Sequence, residues 1–256
     1  LLEVLRNFDN SGESVNEERN RIKRFKIEHN GKEKEINVKC FSRKNRITEF
    51  IYKYFKGSKG KRSYLYGRKL LQLGIKTPEP IAYFDDYYDE TAEEKRTFYI
   101  SENLEYQLTC REIFGNGNFT HEAKEIIKKD KEKLIKLFTE FTFSLHEKGV
   151  EFHDYSPGNV LIKKTNDDSY EFYLIDLNRM TFRKKLGFSR RMRNVSRMME
   201  ETQYIEKFSK YYSELYKKNY LRVFFRLYSF VKIHESNVAI KDNTRTFRYF
   251  FKRKKR

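Results

Sequence analysis

Asp154 and Asn159 stand five residues apart in Phe152-His153-Asp154-Tyr155-Ser156-Pro157-Gly158-Asn159, and a second aspartate, Asp176, closes the apolar stretch Tyr173-Leu174-Ile175 downstream. A carboxylate able to take a hydroxyl proton, with an amide and a second carboxylate as hard oxygen donors, suits phosphoryl transfer. That reaction asks for positioning and charge neutralisation more than covalent chemistry. Asp154 would orient or deprotonate an acceptor hydroxyl, and Asn159 and Asp176 would hold magnesium. An isolated D-x-x-x-x-N also fits a solvated turn capping a strand, so the surrounding elements decide between the two.

Those elements come in a telling order. Leu134, Leu137, Phe138, Phe141 and Leu145 recur at helical spacing, Thr120 is an N-cap candidate, and Gly149 is a natural residue to follow the helix end. After the acidic loop, residues 160–163 and 170–175 read as two strands joined by the polar turn 164–169, which returns Asp176 toward the loop carrying Asp154.

Upstream, residues 21–28 and 35–41 read as a hairpin about His29-Asn30-Gly31-Lys32. In its second strand Ile36, Val38 and Cys40 alternate with Lys39, so Lys39 faces away from the apolar side, free to reach triphosphate oxygens or simply solvated. Residues 61–73 read as a helix ended by Gly74, 85–95 as a charged turn, and 97–104 as a strand running into a hinge. The expectation is an α+β chain of two lobes: residues 1–104 a small antiparallel sheet with one helix, and 105–256 mainly helical.

The 256 residues suit one such two-lobed domain or at most two small ones, and 55 Lys and Arg against 37 Asp and Glu, a net charge of +18, call for an anionic partner. Cys40 and Cys110 form no C-x-x-C and no paired framework, which suits a reducing compartment and buried thiols. The histidines lack zinc-like spacing with them, no apolar run is long enough to span a bilayer, and no signal-peptide core is present. The chain begins at Leu1 rather than methionine, so its first residues carry no expectation about targeting. No nucleic-acid-binding motif accompanies the charge. Residues 221–233 place Arg222, Arg226 and Lys232 along one helical face, and the end, Phe251-Lys252-Arg253-Lys254-Lys255-Arg256, is basic. Two readings stand for this tail: binding to an anionic membrane surface, or an aromatic-packed helix with a solvated end.

These residues resemble the bacterial lipopolysaccharide core kinases, the Kdo and heptose kinase family, in the form found in Bacteroidetes-type sequences. The resemblance rests on Asp154-Tyr155-Ser156-Pro157-Gly158-Asn159, on Asp176-Leu177-Asn178-Arg179-Met180 and on Gly74-Ile75-Lys76-Thr77-Pro78-Glu79-Pro80-Ile81-Ala82-Tyr83; Arg19-Asn20 and Val38-Lys39 also fit. It covers roughly residues 12–200 in order. It implies a protein-kinase-like fold, ATP and Mg2+ as cofactors, and a sugar hydroxyl of a lipid-linked lipopolysaccharide core as acceptor. It further implies peripheral work at the cytoplasmic face of the inner membrane. By position, Lys39 is implied to bind the triphosphate, Asp154 to be the catalytic aspartate, and Asn159 and Asp176 to be the magnesium ligands.

The chain also departs from the pattern. Phe152 stands where a loop-propping histidine is usual, and Leu65 where a glutamate partner of Lys39 would align. Gly12 is alone in the segment that would cover the phosphates. Arg193-Asn194 either holds a substrate anion or pairs structurally with the acidic loop. A catalytically silent kinase-like protein that binds nucleotide or an envelope partner is therefore the alternative to an active phosphotransferase.

Overall fold

The computed structural model describes residues 1–16, 20–41, 57–89, 94–115, 119–165 and 169–253, with side chains at 16, 20, 89, 94 and 241–253 excepted. The chain divides into two compact units, Leu1–Tyr106 with Tyr173–Met180, and Gln107–Phe172 with Thr181–Arg256.

The first unit holds α1 (Leu2–Arg6), β1 (Glu13–Asn16), β2 (Asn20–His29), β3 (Lys32–Phe41), α2 (Lys59–Gln72), β4 (Pro80–Asp89) and β5 (Glu94–Glu102). Its strands make one sheet in the order β1-β2-β3-β5-β4, with antiparallel pairing throughout. The β2–β3 hairpin closes on the His29–Lys32 pair. Asn30 and Gly31 between them have φ of 53° and 69°, the two positive values that a tight hairpin turn needs. Alternation along β3 buries Ile36, Val38 and Cys40 against Phe25, Phe98 and Ile100. Leu5 and Phe8, from and just beyond α1, cap this layer, with Phe8 edge-on to Phe98 at 5.3 Å between ring centroids.

Three sequence expectations change here. The charged stretch expected to turn over 85–95 is mostly strand: β4 runs to Asp89 and β5 starts at Glu94. A register shift between Phe84 and Tyr87, with Asp86 at φ 53°, lets the strand absorb residues that break the alternation. The helix begins earlier than residue 61, because Ser58 caps it by accepting a hydrogen bond from the Lys61 amide. Gly12 is accounted for by packing: its φ is +83°, and a Cβ would lie 2.6 Å from the Phe25 ring.

The second unit holds β6 (Leu108–Thr109), α3 (Cys110–Phe114), α4 (His121–Glu147), β7 (Val150–Phe152), a 3-10 turn (Pro157–Asn159), β8 (Val160–Lys164), β9 (Tyr170–Leu174), β10 (Met180–Phe182), α5 (Phe188–Val195), α6 (Thr202–Tyr216) and α7 (Tyr220–Arg253); the ends of β9 and β10 fall in the stretch assigned to the first unit. Thr120 caps α4 through the Ala123 amide. Leu134, Phe138 and Leu145 are fully buried, with the Phe138 ring against Phe114, Phe208 and Tyr155. Full burial of each such side chain stabilises by about 1.5–3 kcal/mol. Both cysteines are free and buried. Among the described residues no helix is long and apolar enough to cross a membrane.

Candidate active site

Lys39 sits mid-strand on β3, in register with Ile22 on β2 and Tyr99 on β5. Its ammonium donates to Asp176 Oδ1 at 2.8 Å, with the lysine side chain only 14% exposed. The same oxygen accepts from Asn178 Nδ2 at 2.7 Å, and among the described residues Oδ2 accepts no hydrogen bond. Asp176 has φ +58°, a left-handed conformation that a non-glycine residue keeps only when its surroundings hold it. They do: Thr77 Oγ1 donates to Leu174 O at 2.7 Å, and Arg62 Nε of α2 donates to Asn178 O at 3.0 Å. Leu177 between these anchors is buried.

Among the described residues, the acid shown paired with Lys39 is Asp176. Helix α2 carries no Asp or Glu, and Leu65, at the position where a glutamate would align, is 48% exposed.

In the second unit, Gly149 turns the chain from α4 into β7 with φ +70°, so close to the neighbouring backbone that a Cβ would lie 1.9 Å from Arg183 O. Phe152 and Tyr155 are fully buried on either side of Asp154, which leaves His153 and Asp154 on the loop's less buried side. Tyr155 is bonded to Thr142 Oγ1 at 2.7 Å, and burial pushes its phenol far above the usual range, so it stays neutral. Asn159 Nδ2 donates to Asp154 O at 2.8 Å. With its nitrogen tied back, the amide's oxygen is the atom left to face a ligand.

The expected histidine prop is absent, and other side chains hold the loop. Asn194 Nδ2 donates to Phe152 O at 2.7 Å, and Arg197 Nη1 donates to His153 O at 2.8 Å. Arg197 Nη1 also lies 3.9 Å from Asp154 Oδ1. Because Asn194 donates through nitrogen, its oxygen accepts from His146 Nε2 at 3.3 Å, and His146 Nδ1 then accepts from Tyr212 OH at 2.9 Å. Burial, reinforced by the Arg191 charge, lowers the His146 pKa to about 3, so the imidazole is neutral.

Of the Arg193-Asn194 pair, Asn194 serves the loop, whereas Arg193 lies over the Phe230 ring at 5.1 Å. Arg197, which no motif in the sequence singles out, lies beside the acidic loop, as does Arg111 next to Gly158. Arg19 lies outside the described residues, and Asn20 is described in its backbone alone.

Among the described residues, no three His, Cys, Asp or Glu side chains gather to hold a metal. Magnesium does not require such a cage: it keeps waters and takes one or two protein oxygens alongside substrate phosphates. Taken each in its own unit, the carboxylate of Asp176 and the amide oxygen of Asn159 are hard oxygen donors of that kind, so their chemistry suits the ion.

The model of the Lipopolysaccharide kinase (Kdo/WaaP) family matches residues 18–224 of this chain. No curated protein matches it. Among solved structures, WaaP in complex with acyl carrier protein is similar at a TM-score of 0.55 and 15% identity, over 89% of this chain and 87% of that one. The Rio2 kinase-ADP/Mg2+-phosphoaspartate complex from Chaetomium thermophilum aligns at a TM-score of 0.47 and 13% identity, over 85% of this chain and 61% of that one. The likeness to WaaP is one of fold, a kinase-like one.

Proposed function

This chain belongs to the lipopolysaccharide kinase (Kdo/WaaP) family, phosphotransferases that act on sugar hydroxyls, and we propose that it moves the γ-phosphate of ATP to a Kdo or heptose hydroxyl of the lipopolysaccharide inner core. The observation that carries this reading is the 2.8 Å pair between Lys39 and Asp176. A kinase needs a cation for triphosphate oxygens and a carboxylate for magnesium, and here each neutralises the other until those ligands arrive.

In this reading Lys39 holds the phosphates, and Asp176 and Asn159 are the protein oxygens for magnesium. Asp154 orients the acceptor hydroxyl and takes its proton as the oxygen attacks. Bound magnesium supplies positive charge against the phosphate oxygens. The Asn159 amide, tied to Asp154 O, fixes the loop between the base and the metal ligand.

Acceptors of this kind are lipid-linked, so the chain would work peripherally at the cytoplasmic face of the inner membrane. Helix α7 supports that setting. Val223, Leu227 and Val231 are buried, while Leu221, Phe225 and Ile233 are exposed alongside Arg222 and Arg226. Exposed apolar side chains on a helix that also carries exposed arginines suit an anionic bilayer.

A catalytically silent kinase-like protein is the second reading, favoured by the absence of any acid on α2 and by Gly12 being explained by packing. The test is incubation with magnesium-ATP and dephosphorylated lipopolysaccharide core, with the phosphate located by mass spectrometry. Phosphate on an inner-core sugar supports the kinase. ATP binding without transfer to any core sugar supports the silent reading.

A further inference from the structure

We infer that Asn194 and Arg197 are positioning residues that hold Asp154 through the backbone of its loop, in place of the histidine whose position Phe152 occupies. The inference rests on the reading of Asp154 as the catalytic aspartate.

Three consecutive peptide carbonyls, those of Phe152, His153 and Asp154, each accept a hydrogen bond from a side chain: Asn194 at 2.7 Å, Arg197 at 2.8 Å and Asn159 at 2.8 Å. A loop has no ladder to satisfy its peptide groups, so such donors decide where the backbone, and the side chain between, can sit. Phe152 is fully buried and its ring has no donor to offer. The fixing must come from elsewhere, and it comes from the end of α5 and the residues just beyond it.

The two donors are themselves anchored. Asn194 is 8% exposed and its amide is oriented by neutral His146, which is set in turn by Tyr212 OH. Helix α5 is pinned by buried Arg191, which donates to Leu186 O at 2.7 Å and to Glu147 Oε1 at 2.5 Å. Asn194 thus ties α4, α5 and α6 to the carbonyl two residues before Asp154. Arg197 does a different job at the surface: it bonds the next carbonyl, that of His153, and presents its charge 3.9 Å from Asp154 Oδ1, which biases the carboxylate's rotamer as well as its backbone. Misplacing a reacting group by about 1 Å can cost about a hundredfold in rate, so a clamp of this kind acts on kcat.

The test uses the full chain with magnesium-ATP and dephosphorylated core. Arg197→Met is expected to lower kcat by about 10–100-fold while the KM for ATP stays within about twofold, and Arg197→Lys, which keeps a charged donor, to recover most of the loss. Asn194→Asp, the same shape without the amide donor, is expected to lower kcat too. Because it buries a charge, its thermal midpoint is measured alongside, and Arg197→Met is the variant that decides. Unchanged kcat in Arg197→Met overturns the inference. So does a rise in acceptor KM alone, which would make Arg197 a substrate-binding group.

Amide hydrogen exchange over residues 152–159 reads the clamp without activity. Faster exchange in Arg197→Met than in the wild type is expected even from a silent protein, and identical exchange overturns the clamp. Asp154→Asn separates the two failures. If it transfers at the wild-type rate, the reading of Asp154 falls and the positioning role with it. If it is inactive while Arg197→Met is not, only the clamp falls.

Discussion

Lys39 Nζ lies 2.8 Å from Asp176 Oδ1, so the cation proposed for the triphosphate and the carboxylate proposed for magnesium are one ion pair, 137 residues apart in sequence. Replacing either removes the other's partner in that pair. Lys39→Met and Asp176→Asn are each expected to lower kcat by about 10²–10³, the usual cost of removing a group aimed at transition-state charge. Isothermal titration should show weaker ATP binding for Lys39→Met and loss of the magnesium dependence of binding for Asp176→Asn. Wild-type kcat in either variant contradicts the assignment.

Leu65 tests the same point from the other side. Its side chain is about half exposed, so an acid there enters solvent rather than meeting Lys39. Leu65→Glu is expected to change kcat by less than about twofold and stability by less than about 0.5 kcal/mol. A large gain in kcat would show that α2 does supply the lysine's partner.

How far the sequence leads depends on how local each signal is. The hairpin about Asn30-Gly31, the Thr120 cap and the burial of Leu134, Phe138 and Leu145 all follow from periodicity and capping, and the structure has them. Lys39's placement follows from alternation along β3. Its acid does not, since nothing near Lys39 in sequence points to Asp176. Arg197 is hidden for the same reason, and the sequence marks Asn194 only as half of the Arg193-Asn194 pair: the acceptors of both are carbonyls, which leave no mark on side-chain pattern. Taking charge as a sign of turn shortens the strands over 80–89 and 94–102, whereas a bulge at Asp86 carries the charged residues within the strand.

His146 gives a pH prediction with a definite sign. Its folded pKa of about 3 lies below the ordinary value of 6.5, so between those values the unfolded chain binds a proton that the folded one refuses. Stability from this group is complete above about pH 6.5 and is lost as pH falls, by about 2 kcal/mol at pH 5. Urea unfolding at pH 7 and pH 5 should show this loss in the wild type and a smaller one in His146→Gln. Equal losses in both would contradict it.

Gly149→Ala is expected to be among the most damaging small substitutions. It combines a positive φ with a Cβ 1.9 Å from Arg183 O, and the backbone bond from Arg183 N to Gly149 O at 2.9 Å resists any shift. A loss of more than about 2 kcal/mol, read from the unfolding midpoint, is expected.

Vesicle flotation examines the exposed face of α7. Binding to vesicles rich in anionic phospholipid, but not to phosphatidylcholine alone, is expected. It should weaken at high salt and in the double variant Leu221→Ser with Phe225→Ser. Absence of binding to anionic vesicles would contradict a membrane setting.

The most direct measurement is single-turnover phosphate transfer from magnesium-ATP to dephosphorylated core by the wild type and by Asp154→Asn, which keeps the side chain's shape and removes its capacity to take a proton. Transfer by the wild type is expected, with a rate at least about a hundredfold lower for the variant and ATP affinity unchanged. Equal rates would contradict the assignment of Asp154, and with it the proposed mechanism.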